Sequence, residues 1–167
     1  KSFPGRIDRQ LNFLIDNKLD MVAAKRIDID ENDEIIEKKD LPKMKPEEVN
    51  MLLPITCFIT HPSVLIRKSV LEKLGGYRNI NSSEDYDLWL RMLEAKCRIG
   101  LIDEYLIYYR IRKESISRSD YYKQILNESY LKKAYRKHQL EINNINQDIE
   151  KYLKSNKYYN STCFWQV

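Results

Sequence analysis

Ser82-Ser83-Glu84-Asp85-Tyr86-Asp87-Leu88-Trp89-Leu90-Arg91-Met92 is the most informative segment of this 167-residue chain. Three carboxylates fall within four positions, and an apolar pattern of helical period follows at once. Ser83 is placed to cap that helix, with Glu84, Asp85 and Tyr86 as its first turn and Leu88, Trp89, Met92 and Leu93 as its buried stripe. Acids at a helix start complement the helix dipole, so a well-made N-terminus accounts for them without any function. Asp87 and Arg91, four apart, read as an i,i+4 ion pair worth roughly 0.2–0.5 kcal/mol. Trp89 reads first as core.

The neighbouring motifs add to this. Gly75-Gly76-Tyr77 lies just upstream, His61-Pro62-Ser63 before it, and Leu101-Ile102-Asp103-Glu104-Tyr105-Leu106-Ile107-Tyr108-Tyr109-Arg110 downstream. In this order and spacing the four motifs resemble the C-terminal half of the inverting family 2 glycosyltransferases. That family shows a His-Pro-Ser-like strand entry, a Gly-Gly-Tyr turn, Glu-Asp-x-Asp-Leu-Trp-x-Arg, and a strand ending in Tyr-Arg. The likeness covers residues 56–118 and extends more weakly back to residue 4. It implies an α/β fold: a partial GT-A (Rossmann-like) glycosyltransferase domain over residues 1–115, followed by a helical C-terminal extension over 116–167.

The resemblance also implies roles. Inverting sugar transfer needs a base for the acceptor hydroxyl, accessible and within about 2.6–3.2 Å of it. The family places that base at the Asp of its Glu-Asp pair, here Asp85. Glu84 would orient the acceptor or hold its loop. His61 matches a family His near the donor site, and reads equally well as a satisfied structural His. Trp89 has acceptor stacking as its functional reading, and Arg110 and Arg112 have phosphate binding through their planar forks. The family commonly continues Tyr-Arg-x-His, where the His touches metal or pyrophosphate. Tyr109-Arg110-Ile111-Arg112 has Arg in that place, which cannot ligate a cation, so no metal ligand is assigned in this chain.

Family members bind the nucleotide-diphosphate sugar on an N-terminal half that ends in Asp-x-Asp and holds Mg²⁺ or Mn²⁺. This chain starts with Lys1-Ser2-Phe3-Pro4-Gly5-Arg6, similar to the segment that follows that motif. The expectation is therefore an acceptor-side portion, inactive alone and binding no metal alone. In the complete enzyme it would act with Mg or Mn, a nucleotide-sugar donor and a sugar or lipid-linked acceptor. Asp28-x-Asp30 has the right spelling but ends a strand, and reads as turn chemistry. The alternative is a non-catalytic interaction domain derived from such an enzyme.

Bulk properties fit one soluble domain: 43% hydrophobic, 32% charged, 4 Gly and 5 Pro. The net charge of +4 is carried by the second part of the chain, which suits an anionic ligand without naming one. Cys57, Cys97 and Cys163 are odd in number and widely spaced, so reduced structural thiols in a cytoplasmic protein are expected, and no metal cage is. No apolar run reaches the ~20 residues of a membrane span. The expected location is cytoplasmic or at the inner face of the membrane, with peripheral membrane contact and self-association as further partners. The Tyr and Lys interleaved over 119–136 have helical spacing and read as a packed stripe, so no nucleic-acid partner is expected.

Along the chain, Ile7, Leu11 and Leu14 predict an amphipathic helix over 4–17 with those residues inward. A strand follows over 20–29, then a surface loop or short edge strand over 34–45 and a helix from Pro46 to Leu53. Short strands are expected at 55–60 and 64–66, then a helix to Leu74 closed by Gly75-Gly76. Arg98–Ile102 and Tyr105–Arg112 read as two strands joined by a turn at Asp103-Glu104. From Ser119 onward helices dominate, broken near His138, before an aromatic tail over 158–167.

Overall fold

The computed structural model describes residues 1–80, 82–112, 121–140 and 145–155. Cys163, the aromatic tail and the helix start at Ser119 lie outside them. The described elements are α1 (Arg6–Asp16), β1 (Met21–Ile29), β2 (Ile35–Lys39), α2 (Pro46–Leu52), a 3₁₀ turn (His61–Ser63), β3 (Leu65–Ile66), α3 (Lys68–Lys73), α4 (Glu84–Glu94), β4 (Ile99–Arg110), α5 (Tyr121–Arg136) and α6 (Ile145–Ser155). The fold is mixed α/β around a mixed four-stranded sheet.

β1 is the hub of that sheet. One flank pairs in parallel with β4 along its whole length, from Met21 opposite Ile99 to Ile29 opposite Arg110. The other flank changes partner. Met21 and Val22 pair antiparallel with β3, whereas Arg26 to Ile29 pair antiparallel with β2. Between these two ladders, Ala23 to Lys25 face a gap in the sheet.

Strand alternation sorts the apolar residues to two faces. Met21, Ala23, Ile99 and Leu101 join Val49, Leu53, Leu88, Trp89 and Met92 in the main core, to which Leu131, Ala134, Leu140 and Ile149 also belong. Val22, Ala24, Ile102 and Leu106 form a smaller core with Leu14 and Leu19 under α1. Gly100 is required at that junction, because an added Cβ would stand 2.4 Å from the Leu19 side chain. Gly75 and Gly76 both take left-handed φ values, 73° and 71°, at the end of α3.

Several expectations are corrected. Asp103-Glu104 is no turn: β4 is one strand, and the register against β1 slips between Ala24 and Arg26. The bulge lets Asp103 meet the buried Lys25 at 2.5 Å. Residues 55–60 form no strand. Ser83 is the N-cap residue of α4, but its hydroxyl donates to the Ser82 carbonyl (2.7 Å) and makes no side-chain cap. On α1 the face is turned: Gln10 and Leu14 are buried, whereas Ile7, Leu11 and Ile15 are 56%, 44% and 54% exposed. Cys57 and Cys97 are free thiols. Among the described residues no helix is long and apolar enough to cross a membrane.

Candidate active site

The gap in the β1 flank opens onto a cleft of about 800 Å³. Its floor is Ala24, Lys25 and Arg26, and its walls include Thr60, His61, Glu84, Asp85, Tyr109 and Glu128. Where a strand would otherwise pair, the 3₁₀ turn substitutes side chains. The Ser63 hydroxyl accepts the Ala24 N–H at 3.3 Å and donates to Thr60 O at 2.7 Å. Gln10, fully buried, donates through Nε2 to Val22 O (3.2 Å) and Ser63 O (2.8 Å). Each of these groups is a backbone group or a buried polar side chain that needs a partner, so the turn is held firmly. Pro62 within it fixes the backbone that presents His61 to the cleft.

α4 aims its first turn at the same space. Asp85 Oδ1 accepts the Tyr86 N–H at 2.7 Å, meeting one of the donors that a helix start leaves unpaired. The carboxyl group is partly buried, and burial raises its pKa above the usual carboxylate value. The Tyr86 N–H and nearby His61 oppose that rise, and Glu84 adds to it. His61 Nε2 lies 3.0 Å from the Tyr77 hydroxyl. Its ring meets Trp89 edge-on, with centroids 6.0 Å apart. Burial, then Asp85 and Glu84, raise the Tyr77 pKa.

Asp85, Glu84 and His61 are thus brought together at the cleft. Three other sequence candidates are not. Trp89 is 0% exposed in the main core, where it backs the His61–Tyr77 pair and presents no face to a ligand. Along β4, alternation turns Tyr109 and the following Ile111 to the cleft and Arg110 away from it. Arg110 instead pairs with Asp33 and donates to Asp30 O. Arg112 is exposed and outside the lining.

Several lining residues escaped the sequence reading, two of them one turn apart on the same helix. Glu128 and Gln124, on α5, complete the wall beside Asp85. Burial raises the Glu128 pKa, Lys132 and the Gln124 hydrogen bond oppose it, and the charge of Asp85 adds to it. Nothing local marks these residues; only the packing of α5 on α4 brings them in. Cys57 also lines the cleft, its thiol pushed up by burial and so held as an inert SH.

The basic wall is already engaged. Lys25 pairs with Asp40 (2.8 Å) and Asp103 (2.5 Å), Lys39 with Glu37 (2.5 Å). Arg26 pairs with Asp28 (2.8 Å), bonds Thr60 Oγ1 (3.1 Å) and lies 4.6 Å over the Tyr109 ring. Asp30 serves as turn chemistry, its Oδ1 accepting the Asn32 and Glu34 N–H groups at 2.8 and 2.9 Å. Among the described residues no three His, Cys, Asp or Glu side chains converge to hold a metal ion. The Mg or Mn of the resemblance finds no cage there.

No protein-family model matches the chain. It is similar to the O-antigen biosynthesis glycosyltransferase WbnJ of Escherichia coli, 36% identical over 71% of this chain and 46% of that protein. An uncharacterized glycosyltransferase of Methanocaldococcus jannaschii is 27% identical over 80% of this chain and 47% of its own length. A third, the UDP-Gal:alpha-D-GlcNAc-diphosphoundecaprenol beta-1,3-galactosyltransferase of Escherichia coli, is 38% identical over 35% of this chain and 21% of its own. The matched part spans about half the length of the first two relatives.

Proposed function

We propose that the cleft is the acceptor side of an inverting glycosyltransferase of the GT-A, family 2 type, with Asp85 as general base. The similarity to named glycosyltransferases supports the reaction class. The observation that carries the base assignment is the position of Asp85: at a helix start, on the wall of a cleft, partly buried, with one oxygen tied to the Tyr86 N–H.

In the proposed step an acceptor hydroxyl attacks the anomeric carbon of a nucleotide-diphosphate sugar from the face opposite the leaving group. The new bond joins acceptor oxygen to that carbon, the bond to the diphosphate oxygen breaks, and the nucleoside diphosphate departs with its electron pair. The hydroxyl proton passes to Asp85. Partial burial raises the pKa of that carboxyl and so makes its carboxylate a stronger base than an exposed one. Glu84, beside it, orients the acceptor, and His61 fixes the cleft edge through Tyr77. Donor binding and any cation fall to a nucleotide-binding half of the kind the resemblance implies, outside the described residues. A lipid-linked acceptor would bring the enzyme to a membrane surface.

The test is Asp85→Asn in the full-length protein, assayed for sugar transfer with donor affinity followed by calorimetry. Turnover should fall about 10²–10⁴-fold with donor binding intact. Undiminished turnover sinks the assignment.

A further inference from the structure

We infer that Glu128, held by Gln124 one turn earlier on α5, is the residue by which the cleft recognises its acceptor, and that it does so through the hydroxyls of an uncharged sugar. The inference rests on reading the cleft as an acceptor site. Two observations carry it.

The first is the pair itself. Both residues line the cleft next to Asp85. Gln124 Nε2 donates to Glu128 Oε1 at 3.3 Å, and Lys132 stands 3.8 Å from Oε2. Contacts along its own helix therefore fix the carboxylate where it meets the ligand space. A carboxylate only accepts hydrogen bonds, so it selects a group rich in donors. Sugar hydroxyls are such a group.

The second is charge. Lys25, Arg26 and Lys39, the described Lys and Arg residues of the lining, are each bound to a carboxylate already, and His61 is engaged by the Tyr77 hydroxyl. Among the described residues Glu84 and Asp85 form no ion pair. An anionic acceptor would meet the carboxylates of Glu84 and Asp85 and that of Glu128, beside Lys132, and no unpaired Lys or Arg among the described lining residues, at close range and in a partly desolvated space. An uncharged pyranoside avoids that repulsion and still satisfies Glu128.

The experiment titrates the 167-residue chain by NMR with methyl β-galactopyranoside and with methyl β-galacturonide, matched except for the carboxylate. The galactoside should shift amides around Gln124 and Glu128, and the galacturonide should bind more weakly. In Glu128→Gln the galactoside should lose roughly tenfold in affinity, while the galacturonide gains. Movement in opposite directions is something a merely structural role does not produce. Equal binding of both sugars by the wild type, parallel changes in the variant, or no shift at these amides with either sugar would overturn the inference. An active Asp85→Asn enzyme would remove the base assignment and leave these titrations unchanged, so the two failures are separable.

Discussion

At the residue scale, Asp85 serves the helix and the cleft together. Its Oδ1 meets a backbone donor that α4 would leave unpaired, and its burial raises the pKa. A carboxyl whose folded pKa exceeds its unfolded value binds its proton more tightly when folded. Stability is therefore unaffected below the unfolded value, falls as pH rises through the folded one, and stays lowered above it. Asp85→Asn should accordingly melt higher than the wild type at pH 7, and the difference should vanish in acid below the ordinary Asp range. A melting series by circular dichroism from pH 3 to 7 checks this; a variant less stable at every pH would mean that Asp85 is chiefly a helix cap. The sequence made Asp85 legible because acids at a helix start are a local pattern. It could not show Glu128, since a Glu in mid-helix carries no mark of what packs beside it. Arg110 is the opposite case: its motif was visible, but the phase of the strand that points it at Asp33 was not.

At the element scale, α4 is anchored through one buried carboxylate. Asp87 accepts Arg91 Nε and Arg78 Nε, both at 2.9 Å. Arg91 also donates to Leu74 O (2.6 Å) and Gly76 O (2.7 Å), and Arg78 to Leu140 O (2.6 Å). The Gly-Gly turn, α4 and the end of the α5 segment thus converge on a single residue. Read from spacing alone, Asp87 and Arg91 are an i,i+4 ion pair worth a few tenths of a kcal/mol. With Asp87 at 0% exposure, removing it strands two guanidinium groups, and Asp87→Ala should cost about 3–5 kcal/mol in urea unfolding. A loss under about 1 kcal/mol would return the pair to the solvent-exposed class. Spacing found the i,i+4 partner; Arg78 came from a loop whose course no periodicity describes. β4 shows the same limit. Its two apolar halves were legible, but the polar pair between them looked like a turn because a bulge has no signature apart from the strand it pairs with.

At the scale of the whole molecule, the organising feature is β1, which has one continuous neighbour and one interrupted flank. The α/β character, β1, the edge strand β2 and most helices could be read from local patterns. The inward face of α1 could not. Gln10 is drawn under the helix because backbone at the interrupted flank needs hydrogen-bond partners, and this turns Ile7 and Leu11 to solvent. The cleft exists because the β3 ladder ends at the Val22–Leu65 pair and β2 begins pairing only at Arg26. At the interruption a single serine hydroxyl stands in for a missing ladder rung. In deuterium oxide the Ala24 amide should therefore exchange slowly, although no strand lies opposite it on that flank. Ser63→Ala should make that one amide exchange much faster while Ile27, inside the β2 ladder, keeps its protection.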